Sequence, residues 1–227
     1  METVKRIKEP HPEREYSRFE EAMHAALHGG GALLSIVGLV FLLLKAAGNT
    51  AALVSSAVFG ASLIILYLAS CAYHTSCLVF GEDKPSRIRD LTMKCDHSLI
   101  YILILGTYTP ACLSAMGGIV GTVVFAVVAT CAVIGIVMNA IDVERFKKVS
   151  LILYLVAGWT IAAAIYPYYK AVGWGGIAFL LIGGAAYTVG VLFYRARHIP
   201  YMHIVWHIFV LLGSIFHYFM VYLYCLS

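Results

Sequence analysis

Charge is what this chain has least of. Of 227 residues, 16 are Lys or Arg and 12 are Asp or Glu, 12% together, while 61% are hydrophobic. A soluble domain carries about 25% charged residues, so a water-exposed surface is excluded for most of the chain. The mean hydropathy of +0.86 agrees. A disulfide framework is also missing. Cys71, Cys77, Cys95, Cys112, Cys131 and Cys225 lie within or at the ends of apolar runs, where a thiol acts as a small, soft apolar group. The first 20 residues, "METVKRIKEPHPEREYSRFE", are polar and offer no apolar stretch before a small-residue cleavage site. No removable signal peptide is expected from them. Residues 1–19 read instead as a cytoplasmic arm.

What is present are apolar runs of roughly 20 residues, the length that crosses a bilayer core. They fall near residues 26–46, 52–78, 96–115, 118–140, 149–168, 173–194 and 201–225. The expected fold is all-α, a polytopic bundle of seven transmembrane helices over residues 20–227. No soluble domain is left over. Basic residues sit in alternate loops: Lys5, Arg6, Lys8, Arg14 and Arg18, then Lys84, Arg87, Arg89 and Lys94, then Arg145, Lys147 and Lys148, then Arg195 and Arg197. The other side has Lys45 and Lys170. The positive-inside rule then predicts a cytoplasmic N-terminus and an extracytoplasmic C-terminus. The net charge of +4 arises from these loops and calls for no nucleic-acid partner.

Against this background the last run, "HIVWHIFVLLGSIFH", carries three histidines. Ionisable groups at membrane depth are costly and face a protein interior or cavity. Two causes fit them: hydrogen bonding between helices, or a metal site. The predicted topology brings polar residues from three spans to one depth under the cytoplasmic face. Ser70 and His74 end span 2, Asp96 opens span 3, and His203 and His207 open span 7. Residues i and i+4 share a helix face about 6 Å apart, which suits His203 and His207 as two imidazoles on one ion. His74 supplies a third nitrogen. Three protein ligands with an open fourth position describe a catalytic zinc. Asp96 is then a carboxylate beside the bound water, or an outer partner orienting it. Ser70 can hydrogen-bond a ligand or that water, and a thiolate from Cys71 or Cys95 stays open as a minor alternative.

His217, ten residues beyond His207, lies about 15 Å along the helix and cannot share the ion; packing or lining a cavity is expected. His97 points about 100° from Asp96 and is left out of the ligand set. A second polar stripe, Glu20, Glu21, His24 and His28, enters span 1. It reads first as an amphipathic interfacial turn, with Phe19, Met23 and Leu27 towards lipid or core. An outer role for Glu21 or His28 stays open. Pro110, in "GTYTP", is expected to kink span 3.

These residues carry a resemblance. The motifs "EEAMHAALHG", "LYLASCAYH", "CDHSLIYILILGTYTP", "YLVAGW", "GGAAYTVGVLFY" and "IPYMHIVWHIFVLLGSIFH" are similar to those of the bacterial hemolysin III proteins. That group lies within the seven-helix progestin and adipoQ receptor family, and the likeness covers about residues 20–225. It implies zinc held by His74, His203 and His207, with Asp96 on the metal-bound water and Ser70 beside it. His24 departs from the pattern, where a polar amide such as Asn is expected. Alkaline ceramidases in the wider superfamily hydrolyse a lipid amide at a similar site.

Three functions follow as expectations for a multi-pass protein of the inner (plasma) membrane with membrane lipids as partners. The first is a zinc-dependent hydrolase of a lipid amide or ester. The second is a sensor or regulator of membrane state that zinc stabilises without consuming lipid. The third is a pore, including haemolytic activity, for which spans 4 and 6 lack a polar stripe.

Overall fold

A computed structural model describes residues 14–81 and 85–226; most of the expected arm over residues 1–19 lies outside them. Those residues are helical almost throughout: α1 (Arg18–Lys45), α2 (Thr50–Phe80), α3 (Arg87–Tyr108), α4 (Gly118–Ile141), α5 (Val143–Trp159), α6 (Ile165–Arg195) and α7 (Met202–Met220). The N-termini follow from side chains that capture orphan backbone N–H groups. Ser17 and Glu20 form a reciprocal capping box on α1, and Asn49, Ser86 and Asp142 accept from Ala52, Arg89 and Arg145 at the starts of α2, α3 and α5. Pro110 has no N–H to continue the ladder. The backbone widens there into a π-helical stretch, Thr109–Met116, which appears where a kink is expected.

Six helical stretches are long and apolar enough to cross a membrane. The expectation was seven separate runs. The difference lies in Val143–Arg195, whose 53 residues form one helical path through α5, a 3-10 turn at Thr160–Ala164 and α6. That path is broken at Gly173, with φ 65° and ψ −174°, a conformation essentially reserved for glycine.

Polarity is inverted relative to a soluble protein. Leu33 is 68% exposed and Ile119 84%, whereas Glu20, His24 and His74 are each 1% exposed or less. Such an outward apolar surface is at home only against lipid. α2 is central, packing along both α1 and α3, while α6 packs along α7 and α7 against α1. Phe59, Leu63, Leu66 and Tyr67 on α2 are buried in the core. α1 packs against both α2 and α7, and side chains such as Tyr67 of α2, which donates to Ser214 of α7, reach across between the latter two.

Candidate metal centre

Where those three helices meet, near the start of α1 and α7 and the end of α2, four histidines converge. They are His24 of α1, His74 of α2, and His203 and His207 of α7. All four are buried, and one ligand atom from each lies within 4.8 Å of the others. His203 and His207 lie one turn apart on α7, edge to face, with ring centroids at 4.7 Å. His74 stands 4.9 Å from His207 and 5.6 Å from His203.

Backbone contacts set the depth of α7. Tyr201, just before the helix, has φ 69°, which a non-glycine residue rarely adopts. Its N–H donates to Glu20 Oε1 at 2.8 Å. Glu20 also accepts from Ser17 and pairs with Arg14. One carboxylate thus starts α1 and pins the turn that delivers His203.

Two of the imidazoles have partners on the side away from the group. His74 Nδ1 is 2.6 Å from Glu21 Oε2, so Nδ1–H donates to the carboxylate and Nε2 offers its lone pair to the centre. His207 Nδ1 is 2.8 Å from His28 Nε2, leaving the buried His207 Nε2 without a hydrogen-bond partner. His203 Nδ1 and both nitrogens of His24 are likewise buried and unpartnered. A buried polar atom with no partner costs about 1–3 kcal/mol, and here several face one spot. Four buried imidazoles suit a first-row divalent ion such as zinc, copper, iron or nickel, so the residues present fit a metal.

The predicted ligands His74, His203 and His207 are thus brought together. Ser70 is buried one turn from His74 with an unpartnered hydroxyl. Asp96 is not part of the group; its carboxylate is 16% exposed and lies 3.9 Å from His97 Nδ1. His97 Nδ1 itself donates to the Met93 carbonyl at 3.0 Å. Cys71 and Cys95 are free thiols outside the group, Cys95 being exposed.

The stripe on α1 corrects the interfacial reading. Glu20, Glu21, His24 and His28 are all buried, and Phe19 on the opposite side is 62% exposed. The polar face of α1 turns inward. Sequence reasoning left His24 out of the metal set, although its four-residue spacing from Glu20 and His28, at the same end of the bundle, is the signal that points to it.

His217 is buried away from the four, with Nε2 donating to the Leu180 carbonyl at 3.3 Å. It lines an apolar cavity of about 130 Å³ between α2, α3, α5, α6 and α7. Leu66, Leu103, Ile104, Leu155, Trp206 and Val210 supply its apolar wall. Trp206 and Val210 are near neighbours of His207 along α7.

Comparison with known proteins gives the family. A family model described as "Haemolysin-III related" matches residues 16–218. The chain is 40% identical over 210 residues to the "Hemolysin-3 homolog" of Bacillus subtilis (strain 168), covering 92% of this chain and 95% of that one. It is 38% identical over 209 residues to "Hemolysin-3" of Bacillus cereus, covering 91% and 92%. A weaker likeness, 25% over 168 residues, extends to "Monocyte to macrophage differentiation factor" of Homo sapiens, covering 74% and 68%. With its apolar helices, inward-facing histidines and near full-length match, the chain belongs to the haemolysin III family of multi-pass cell-membrane proteins.

Proposed function

We propose that this protein is a zinc-binding, lipid-responsive regulator of the cell membrane, with its ion under the cytoplasmic leaflet. The observation that carries the reading is the convergence of buried histidines from α1, α2 and α7 on one point. Ionisable groups rarely gather at membrane depth without a function. In this reading His74, His203 and His207 hold the ion. Glu21 fixes His74 so that Nε2 faces inward, and His28 does the same for His207. Zinc, when bound, supplies strong electrophilic attraction for nitrogen donors and ties the helices together.

The chain crosses the membrane seven times, N-terminus inside. Support comes from length and charge. A straight helix of 53 residues would span about 80 Å, against a hydrocarbon core of about 30 Å, so Val143–Arg195 makes two passes joined near Gly173. The basic loops then all fall on the side of the histidines.

The ligand is an amphiphile whose alkyl segment enters the cavity beside α7. The wall is mostly apolar, and its polar groups are the hydroxyls of Thr107, Thr188, Tyr108, Tyr154 and Tyr187 and the His217 ring. α5 and α6 pack on each other far less than α6 does on α7, which leaves a route for a chain from the bilayer. Occupancy would be felt at the ion through Trp206 and Val210.

A second reading, a zinc-dependent lipid amide or ester hydrolase, is favoured by the unpartnered buried hydroxyl of Ser70 beside His74. It needs Asp96 to act as proton acceptor at the ion, and the place of that carboxylate beside His97, outside the four-histidine group, favours the regulator.

The test is elemental analysis with lipid mass spectrometry on the purified protein. The expected result is about one zinc per chain and a copurifying amphiphile, with zinc lost in His207→Ala. Equal zinc in wild type and variant would end the site assignment.

A further inference from the structure

A zinc ion held by three histidines keeps a position for water; one held by four protein ligands is closed. We propose that His24 is the fourth ligand and that this chain encloses its ion in four imidazoles, with no water in the coordination shell. The inference rests on the metal-binding reading above and goes beyond it, because it decides what the ion can do.

His24 is 0% exposed, and both ring nitrogens are buried without a hydrogen-bond partner. Its ring centroid lies 4.6 Å from that of His74, 4.8 Å from His203 and 4.9 Å from His207. It therefore sits as close to the other three as the His207 ring does, whose centroid lies 4.7–4.9 Å from theirs. A histidine that only packed would still have to satisfy its N–H, at a cost of about 1–3 kcal/mol if it failed. Glu21 does not relieve it: Oε2 is 3.7 Å from His24 Nδ1 but 2.6 Å from His74 Nδ1. Tyr16 meets the ring edge-on, with centroids 5.1 Å apart, an apolar contact that leaves the nitrogens unused.

Magnitudes allow the cage. Four nitrogens each about 2.0–2.1 Å from one zinc lie roughly 3.3 Å apart, and the present ligand atoms lie within 4.8 Å. Side-chain adjustments of about an ångström close the difference, within the range of small torsional changes. Helix α1 gains from it a covalent-strength tie to α2 and α7, which α2 and α7 already share through His74, His203 and His207. The ion is then a clamp across three helices, and activation of water at it is blocked unless His24 lets go.

The experiment reads the coordination shell directly. Wild-type protein carrying one cobalt(II) per chain in place of zinc is titrated with azide and followed by visible absorption. X-ray absorption at the zinc edge counts imidazoles in the zinc form. A closed cage shows four imidazoles and a cobalt spectrum unmoved by azide. His24→Asn keeps its ion with three imidazoles and one oxygen, responds to azide, and gives up zinc to a chelator at least tenfold faster. Three imidazoles with an oxygen in the wild type, and an azide response there, overturn the inference while leaving the three-histidine site standing. A wild type that holds no metal overturns both. The wild-type spectra decide the matter even if the variant does not fold.

Discussion

Glu21 and His28 touch no ion in the proposed site, yet each chooses the nitrogen that a ligand presents. Glu21 holds His74 by Nδ1 and His28 holds His207 by Nδ1, at 2.6 and 2.8 Å. A carboxylate behind an imidazole fixes its tautomer and raises its basicity, and loss of such a partner costs 10–100-fold in metal affinity. Glu21→Gln keeps the shape and removes the charge, so zinc affinity should fall by about that factor, measured by chelator competition. An unchanged affinity would mean that the Glu21–His74 contact is structural only. His217→Ala should behave in the opposite way. It keeps its zinc, because His217 bonds the Leu180 carbonyl and lines the cavity, and its retained amphiphile should decrease.

At the scale of elements, α1 is more than a membrane anchor. Glu20 closes its N-terminus and receives the N–H of Tyr201 at the start of α7, and it does so while 1% exposed. Glu20→Ala removes a charged acceptor from Ser17, Tyr201 and Arg14. Hydrogen bonds to charged groups contribute about 1.5–3 kcal/mol each, so thermal unfolding in detergent should shift down by several degrees. Zinc affinity should weaken alongside, since the register of His203 depends on that turn. A variant as stable as wild type would show that α7 holds its own start. Gly173 is the other hinge of element geometry. Its φ of 65° with ψ −174° costs a residue with a Cβ about 1–3 kcal/mol, and Gly173→Ala should lower the yield of folded protein more than Gly158→Ala, which meets open space in a helix.

For the whole molecule, orientation and chemistry make separate predictions. A reporter fused after the last residue should be extracytoplasmic and one inserted at Asp142, between α4 and α5, cytoplasmic, because basic segments resist translocation. The reverse pair would move the histidines to the outer leaflet. Asp96→Asn should keep its zinc, since its carboxylate stands outside the four-histidine group. The regulator reading expects no turnover of ceramide-like amides by wild type or variant. Turnover by the zinc-loaded wild type, lost by about a hundredfold in Asp96→Asn as for a missing general base, would establish the hydrolase instead.

Composition alone decided that this chain lives in a membrane, because 61% hydrophobic residues with 12% charge cannot cover a water-facing surface. Helix periodicity then paired His203 with His207, and alternation of basic loops brought His74 to their level. Those are properties of spacing, readable along one strand of text. His24 was not readable in the same way. A polar stripe at four-residue intervals can face solvent, headgroups or a protein interior, and its sequence is the same in each case. Only the packing of α1 against α2 and α7 turns that stripe inward, to within 5 Å of three other imidazoles. Asp96 shows the converse. Its membership of the third helix was legible, but α3 starts at Arg87, so Asp96 lies in its third turn and does not open the helix. Which way it faces depends on how α3 rotates about its axis, set by contacts between helices that no linear spacing encodes.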